Sequence, residues 1–298
     1  MEGLDSTQLR TLAAVVGEGS FEAAARLLHV TQSAVSQRIR GLEESVGQVL
    51  VRRSRPCGVT EAGRPLLRLA NQLVLLEREA VAEARGPLAG TRTRTRMAVV
   101  VNADSLATWF VGALARLPAD LALCFDIRQD DQDHTAELLR DGTVTAAVTA
   151  RREAVQGCRV RRLGAMRYRA LAAPALAGRW FADGLSGSAL AAAPVVVFDR
   201  KDRLQHRFLR AVTGRDLDPP VHYVPSVPAF GEAVRLGLGW GLVPEQLARA
   251  DLASGACVDL DHDRTIDVPL YWQHWRLDSA MLAALTDAVH ASAAEALR

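Results

Sequence analysis

Lysine is nearly missing from this 298-residue chain: Lys201 is the single one among 36 basic residues, and arginine supplies the rest. The bias reads as genome composition and assigns no function. Cysteine is also sparse, with Cys57, Cys124, Cys158 and Cys257 far apart and no CxxC pair. That spacing supports neither a structural zinc site nor a disulfide framework, and idle thiols in a reducing cytosol are the plain reading. Long apolar runs are lacking too. The longest clean one, Ala189 to Phe198, is too short to cross a bilayer, and the opening MEGLDSTQLR has no charged-then-apolar leader. A cytoplasmic location with no membrane partner is therefore expected. Catalytic signatures are equally thin. GLGWG (Gly237 to Gly241) is not a GxGxxG and follows a helix instead of opening one. The histidines, among them His134, His206, His222, His262, His274 and His290, form no HExxH or similar pattern, and no GxSxG elbow is present. The expectation is no enzyme, no cofactor and no metal.

What is there is globular: 49% hydrophobic and 23% charged residues, at a length that suits two or three domains. The net charge of +2 hides an asymmetry, since residues 1–96 carry 14 arginines against 10 acidic residues and the remainder is slightly acidic. A basic front on an acidic body is compatible with a polyanion-binding end.

That front reads as three short helices. Asp5 and Ser6 precede Leu9, Leu12, Ala13 and Val16 at helical spacing. Gly17 and Gly19 close the run. Ser20 is placed to cap a second helix, and His29–Val30 breaks the chain before Thr31 caps a third, ending at Gly47. A short turn between the second and third suggests a helix-turn-helix. Val35, Ile39, Leu42 and Val46 make one apolar stripe of the third helix. Gln32, Ser33, Ser36, Gln37 and Arg40 fall on another arc about 120° away. Gln pairs bidentately with adenine and Arg with guanine in the major groove; a solvated face on an ordinary bundle helix is the competing reading. VLVRRSRPCGVTEAG then reads as a small wing with Arg52, Arg53 and Arg55 available for phosphates. Thr60 precedes a helix expected from Glu61 to Arg85, roughly 37 Å long at 1.5 Å per residue. Its Leu66, Leu69, Leu73, Leu76 and Ala80 have no obvious local partner, which points to self-association and two recognition helices on a two-fold site.

The stretch AARLLHVTQSAVSQRIRGLEESVGQVLVRRSRPCGVTEAG resembles the winged helix-turn-helix of LysR-type transcriptional regulators. Gln32–Ser36, Ile39–Glu43, Gly47, Leu50–Arg53 and Val59–Gly63 meet the family pattern, with Val51 where Phe is usual and Val59 where Leu is. Thr31, Arg38, Arg52, Arg53 and Arg55 are expected to position the DNA backbone, while the polar arc reads bases.

After a candidate hinge, GPLAGTRTRTR (Gly86 to Arg96), β-type runs alternate with helical ones, which suggests α/β layers with mostly parallel strands. Asp104 and Ser105 are placed to cap the first helix of this body, Asp202 to Val212 forms another, and Ser226 to Leu236 a third. RALAA (Arg169 to Ala173) and VPLYWQHW (Val268 to Trp275) are candidate crossovers between two lobes. The resemblance implies the same plan: a periplasmic-binding-protein-like effector domain clasping a small molecule. The expected organisation is a winged helix-turn-helix at 1–60, a linker helix and hinge at 61–96, and an effector domain at 97–298. Lobe I of that domain would take 97–172 plus 268–298, and lobe II 173–267.

Ligands in such sheets sit at strand C-termini and helix N-termini. The candidate effector residues are Asp104, Ser105 and Thr149, with Ser226 and Val227 at the start of a later helix. Asp126, Asp199 and Asp202 lie near strand ends as partners for a cationic group. Each also has a bland reading as a cap or surface charge. NADSLATW, APVVVFDRKDRLQHRFL, VPSVPAF and PLYWQHW resemble the ArgP/LysG (IciA-type) branch of the LysR-type family, although Val227-Pro228 stands where a more polar pair is usual. The resemblance implies a homodimeric or homotetrameric activator that binds double-stranded promoter DNA, works with RNA polymerase, and answers lysine, arginine or histidine by turning on an amino-acid exporter gene. Alternatives are a small organic acid or a thiol redox signal as effector, or a nonspecific DNA-organising role.

Overall fold

The computed structural model describes residues 3–85, 94–129 and 132–298. Most of the expected hinge, residues 86–93, lies outside them, as do residues 130 and 131 and the side chain of His134.

The head is built from α1 (Ser6–Glu18), α2 (Phe21–Leu27) and α3 (Gln32–Val46), followed by the two-strand wing β1 (Val51–Arg52) and β2 (Gly58–Val59). Asp5, Ser20 and Thr31 cap the three helices, each side chain accepting a backbone N–H of the first turn. Gly47, at φ 72°, ends α3 in the left-handed region that a residue without Cβ enters at no steric cost. Leu9, Leu12, Val15, Val35, Ile39 and Leu42 bury together with Leu50 and Val59 of the wing. The expected apolar stripe of α3 stops one turn short: Val46 is exposed, because the chain turns away from the core at Gly47. Glu43 joins helix to wing, its Oε1 accepting from Leu50 N at 2.8 Å and Val51 N at 3.3 Å. A Cβ on Gly63 would stand 2.4 Å from the Leu50 carbonyl oxygen, so this close approach admits only glycine.

The linker helix α4 (Arg64–Arg85) begins three residues later than expected, after a turn in which Thr60 Oγ1 accepts from Gly63 N at 3.1 Å. Part of its apolar face does have a local partner, contrary to expectation: Leu67 and Ala70 are buried in the head core, with Leu66 and Leu73 packed against it. Leu69, Leu76 and Val81 remain exposed. A polar row on α4 meets the body. Arg68 Nη1 donates to Gln156 O at 3.1 Å, Asn71 Nδ2 to Gly142 O at 2.8 Å, and Glu79 Oε1 accepts from Ser279 Oγ at 2.7 Å and Met281 N at 2.8 Å.

The body follows as β3 (Thr95–Val101), a helical stretch of α5 (Ala103–Ser105), a π-helical turn (Leu106–Phe110) and α6 (Val111–Ala115), then β4 (Leu123–Gln129), α7 (Gln132–Arg140) and β5 (Ala146–Thr149). Next come the long β6 (Cys158–Ala172), α8 (Pro174–Trp180), α9 (Gly187–Ala192), β7 (Val195–Val197), α10 (Leu204–Thr213), β8 (Val221–Tyr223) and α11 (Val227–Arg235). The chain closes through β9 (Gly241–Pro244), α12 (Glu245–Ser254), β10 (Val258–Asp259), β11 (Ile266–Trp275) and α13 (Ala280–Ala296).

Two compact units emerge. The first comprises residues 1–101, 116–161 and 272–288; the second comprises 102–115, 162–271 and 289–298. The chain passes from one to the other between Arg161 and Arg162 in β6, ahead of the RALAA segment expected to cross, and between Tyr271 and Trp272 in β11, inside the second expected segment. The stretch 102–115, expected in lobe I, groups with the second unit, as do residues 162–172 and 289–298. In the first unit β3 lies between β4 and β5, parallel to both, and its Met97, Val99, Val100 and Val101 are fully buried. In the second unit β9 and β10 pair antiparallel with β6, and β7 and β8 form a separate parallel pair.

Candidate functional site

The polar arc of α3 is presented as the periodicity predicts. Thr31, Gln32, Ser33, Gln37 and Arg40 are exposed, and Ser36 and Arg38 are half-buried. Thr31 is occupied as a cap, accepting from Ala34 N at 3.2 Å and pairing with Ser33 Oγ at 2.9 Å. The side chains of Gln32, Gln37 and Arg40 are engaged by no other described residue, so their hydrogen-bonding capacity is turned outward. On the wing Arg52, Arg53 and Arg55 are exposed. Arg53 lies 5.1 Å over the Phe21 ring, which holds its guanidinium against α2 through a cation–π contact. Exposed hydrogen-bonding side chains on α3 and exposed cations on the wing are thus both open to solvent.

The effector candidates are dispersed. Asp126 and Thr149 belong to the first unit. Asp126 is paired with Arg128 at 3.1 Å, and the buried Thr149 accepts from Arg151 N at 3.1 Å. In the second unit Asp199 accepts from Lys201 N at 2.8 Å and Asp202 N at 2.9 Å, which shapes the turn before α10. Ser226 is exposed and precedes α11 without making a side-chain cap bond, and Val227 behind it is half-buried.

Asp104 and Ser105 are not caps. Asn102 holds that position, and both residues lie within the first turn of the helix. Ser105 is fully buried, with an Oγ that has no partner. Asp104 is half-buried, and Tyr168 Oη donates to its Oδ2 at 2.6 Å. Burial pushes the Asp104 carboxyl above the usual range, the Tyr168 bond counters this, and the charge of Asp202 adds to the rise. The Asp202 carboxylate accepts from Leu204 N at 2.8 Å and Phe198 N at 3.3 Å, and its charge is felt by Asp104 and by Tyr168, a residue that sequence reasoning did not single out. Tyr168 is one of three tyrosines, and a tyrosine in a strand bound for the core needs a partner for its hydroxyl; that was the available signal. The phenol is itself pushed well above its ordinary value, first by burial and then by Asp104, and so stays protonated and donating.

Two of the four free thiols, Cys158 and Cys257, are buried. Burial pushes Cys158 up to about 11 and also raises Cys257, which disfavours the thiolate that redox chemistry requires. Among the described residues no group of three or more His, Cys, Asp or Glu is placed to hold a metal ion, and no helix is long and apolar enough to cross a membrane.

Residues 6–64 match the bacterial regulatory helix-turn-helix protein family of lysR type, and residues 89–294 match the LysR substrate binding domain. The HTH-type transcriptional regulator LysG of Mycobacterium tuberculosis is 51% identical over 290 residues, covering 97% of this chain and 94% of that one. The lysine export transcriptional regulatory protein LysG of Corynebacterium glutamicum is 44% identical over 300 residues, covering 99% and 100%. A full-length structure of LysG from C. glutamicum with bound effector Arg superposes with a TM-score of 0.76 at 43% identity, covering 99% of this chain and 100% of that one. These relatives are regulators and not enzymes. With a matching reader head, a matching effector domain and full-length similarity of this order, the chain belongs to the LysR family of DNA-binding transcriptional regulators.

Proposed function

We propose that this regulator takes a basic amino acid, arginine or lysine, as its effector and in response activates a gene for amino-acid export. The observation that carries the reading is the half-buried Asp104 carboxylate, held at 2.6 Å by a neutral phenol and felt by the charge of Asp202. Two carboxylates in a partly desolvated setting favour a cationic partner over a neutral or anionic one. The arginine bound to LysG of C. glutamicum and the lysine-export name of that same relative support this class of effector. Ser105 and Ser226, whose hydroxyls have no capping duty, are the proposed donors to the effector carboxylate. Asp199, Val227, Asp126 and Thr149 are secondary candidates.

On the DNA side, Gln32, Ser33, Ser36, Gln37 and Arg40 are the proposed base readers, with Thr31, Arg38, Arg52, Arg53 and Arg55 on phosphates. The exposed Leu69, Leu76 and Val81 of α4 support a homodimer or homotetramer that pairs two heads on promoter DNA; a cytoplasmic location and RNA polymerase as a partner complete the proposal. The effector acts by binding one arrangement of that oligomer better than another.

The test is thermal unfolding of the full chain with each of the twenty amino acids in turn. A ligand at 100 times its dissociation constant stabilises the native state by about 2.7 kcal/mol. A shift with arginine or lysine and with no neutral amino acid is expected; a shift with none of them overturns the effector assignment.

A further inference from the structure

Tyr168 and Asp104 come from distant parts of the chain, 64 positions apart, and meet in one short bond of 2.6 Å. Tyr168 is anchored on β6 with 5% of its surface exposed, whereas Asp104 remains half-open. The bond commits Oδ2 of the carboxylate and leaves Oδ1 without a donor among the described residues. The charged groups that act on this pair are Asp202, which repels Asp104, and Arg207, which acts on the phenol from α10. Arg207 is exposed and directs its Nη2 to the Asp267 carbonyl at 3.5 Å. The carboxylate is therefore held by a neutral donor. An arginine in that place would fix the geometry equally well but would cancel the charge. A phenol orients the carboxylate and leaves its negative charge for another cation.

We propose that Tyr168 is a positioning residue of the effector site: by holding one oxygen of Asp104 it aims the other at the cationic head of a basic amino acid, and so sets the preference for a charged over a neutral side chain. This rests on the basic-amino-acid reading given above. The phenol touches the carboxylate and acts on the ligand through it.

The experiment compares arginine with citrulline, its uncharged isostere, by titration calorimetry of the full-length protein and of Tyr168→Phe. The wild type is expected to prefer arginine. Tyr168→Phe should weaken arginine roughly ten-fold, the scale of one hydrogen bond to a charged group, with citrulline nearly unchanged. Losing the phenol also lets the Asp104 carboxyl rise further, so the pH at which arginine affinity is half-maximal should move upward. A purely structural role would weaken both ligands alike and leave that midpoint in place, and either result overturns the proposal. Asp104→Asn gives a second route if Tyr168→Phe folds poorly: the preference for arginine over citrulline should vanish, and its persistence would also overturn the proposal. If the wild type binds neither arginine nor lysine, the effector reading itself fails. If it binds arginine and Tyr168→Phe keeps the wild-type ratio, only the role of Tyr168 fails.

Discussion

Gln37 and Asp104 stand in opposite surroundings. Gln37 sits mid-helix on an exposed face, free of other described residues, and the groups that work beside it lie between Thr31 and Arg40 of the same helix. Asp104 is half-buried, and it is held by a tyrosine from another strand and pressed by an aspartate from the turn before α10. A rigid outward row suits DNA, whose grooves and phosphates come to the protein from outside. The site proposed for a small cation instead draws on segments far apart in the sequence, Asp104 and Tyr168. Local order makes the first surface, and tertiary assembly makes the second.

The contrast is most severely broken from beneath the reading face. Ile39 is 1% exposed under the polar arc, and Ile39→Ala should cost about 2–5 kcal/mol, melting the head ahead of the body. All five tryptophans lie at or beyond Trp109, so tryptophan fluorescence should follow the body alone while circular dichroism shows the earlier loss of the head. One step smaller, Gln37→Ala should weaken operator binding by about 1–3 kcal/mol and relax the preference at one base position, with the arginine-induced thermal shift intact. A matching fall in effector binding would show that the two surfaces are not separable. Arg53→Ala sharpens the distinction between reading and positioning. It should weaken all DNA sequences similarly and flatten the salt slope by about one unit, as gel-shift titrations across salt concentration would show.

The mildest effect belongs to the second unit. Glu245 accepts charged hydrogen bonds from Arg169 and Arg298 at 2.8 and 2.7 Å, which hold its carboxyl down to about 2. A carboxyl lowered on folding stabilises above its unfolded value and loses that contribution as pH falls through the folded one. The second unit should therefore soften between about pH 4.5 and 2, and Glu245→Gln should remove that part of the acid sensitivity. An unchanged acid profile in Glu245→Gln would assign the loss to other groups.

The head was legible because its signals are adjacent in sequence. Thr31, Gly47 and the Val35–Ile39–Leu42 stripe each act within one helix, and the caps and turns fall where the residue types place them. The local signal misled at Val46, where a glycine turn overrode the apolar period, and along α4, where Leu67 and Ala70 find the head core that spacing alone does not reveal. The body's strands were visible as apolar runs, but the partners of each acid were not. Asp126 and Asp104 show how differently far a partner can stand along the sequence. The first is neutralised by Arg128 two residues on, and the second meets a phenol 64 positions away. The helix start at Asn102 was misplaced by two residues, since Asp and Ser are strong caps and the chain uses neither there.

Glu79 and its partners set a timetable for synthesis. The carboxylate that receives Ser279 Oγ and Met281 N waits for residues 200 and 202 positions downstream. At ordinary translation speeds of about 5–20 residues per second that is a delay of roughly 10–40 s. The second unit also draws on late residues, with Arg298 and Ala165 exchanging backbone hydrogen bonds at 2.8 and 3.0 Å. The helices of the head are therefore synthesised well before the residues that complete these contacts.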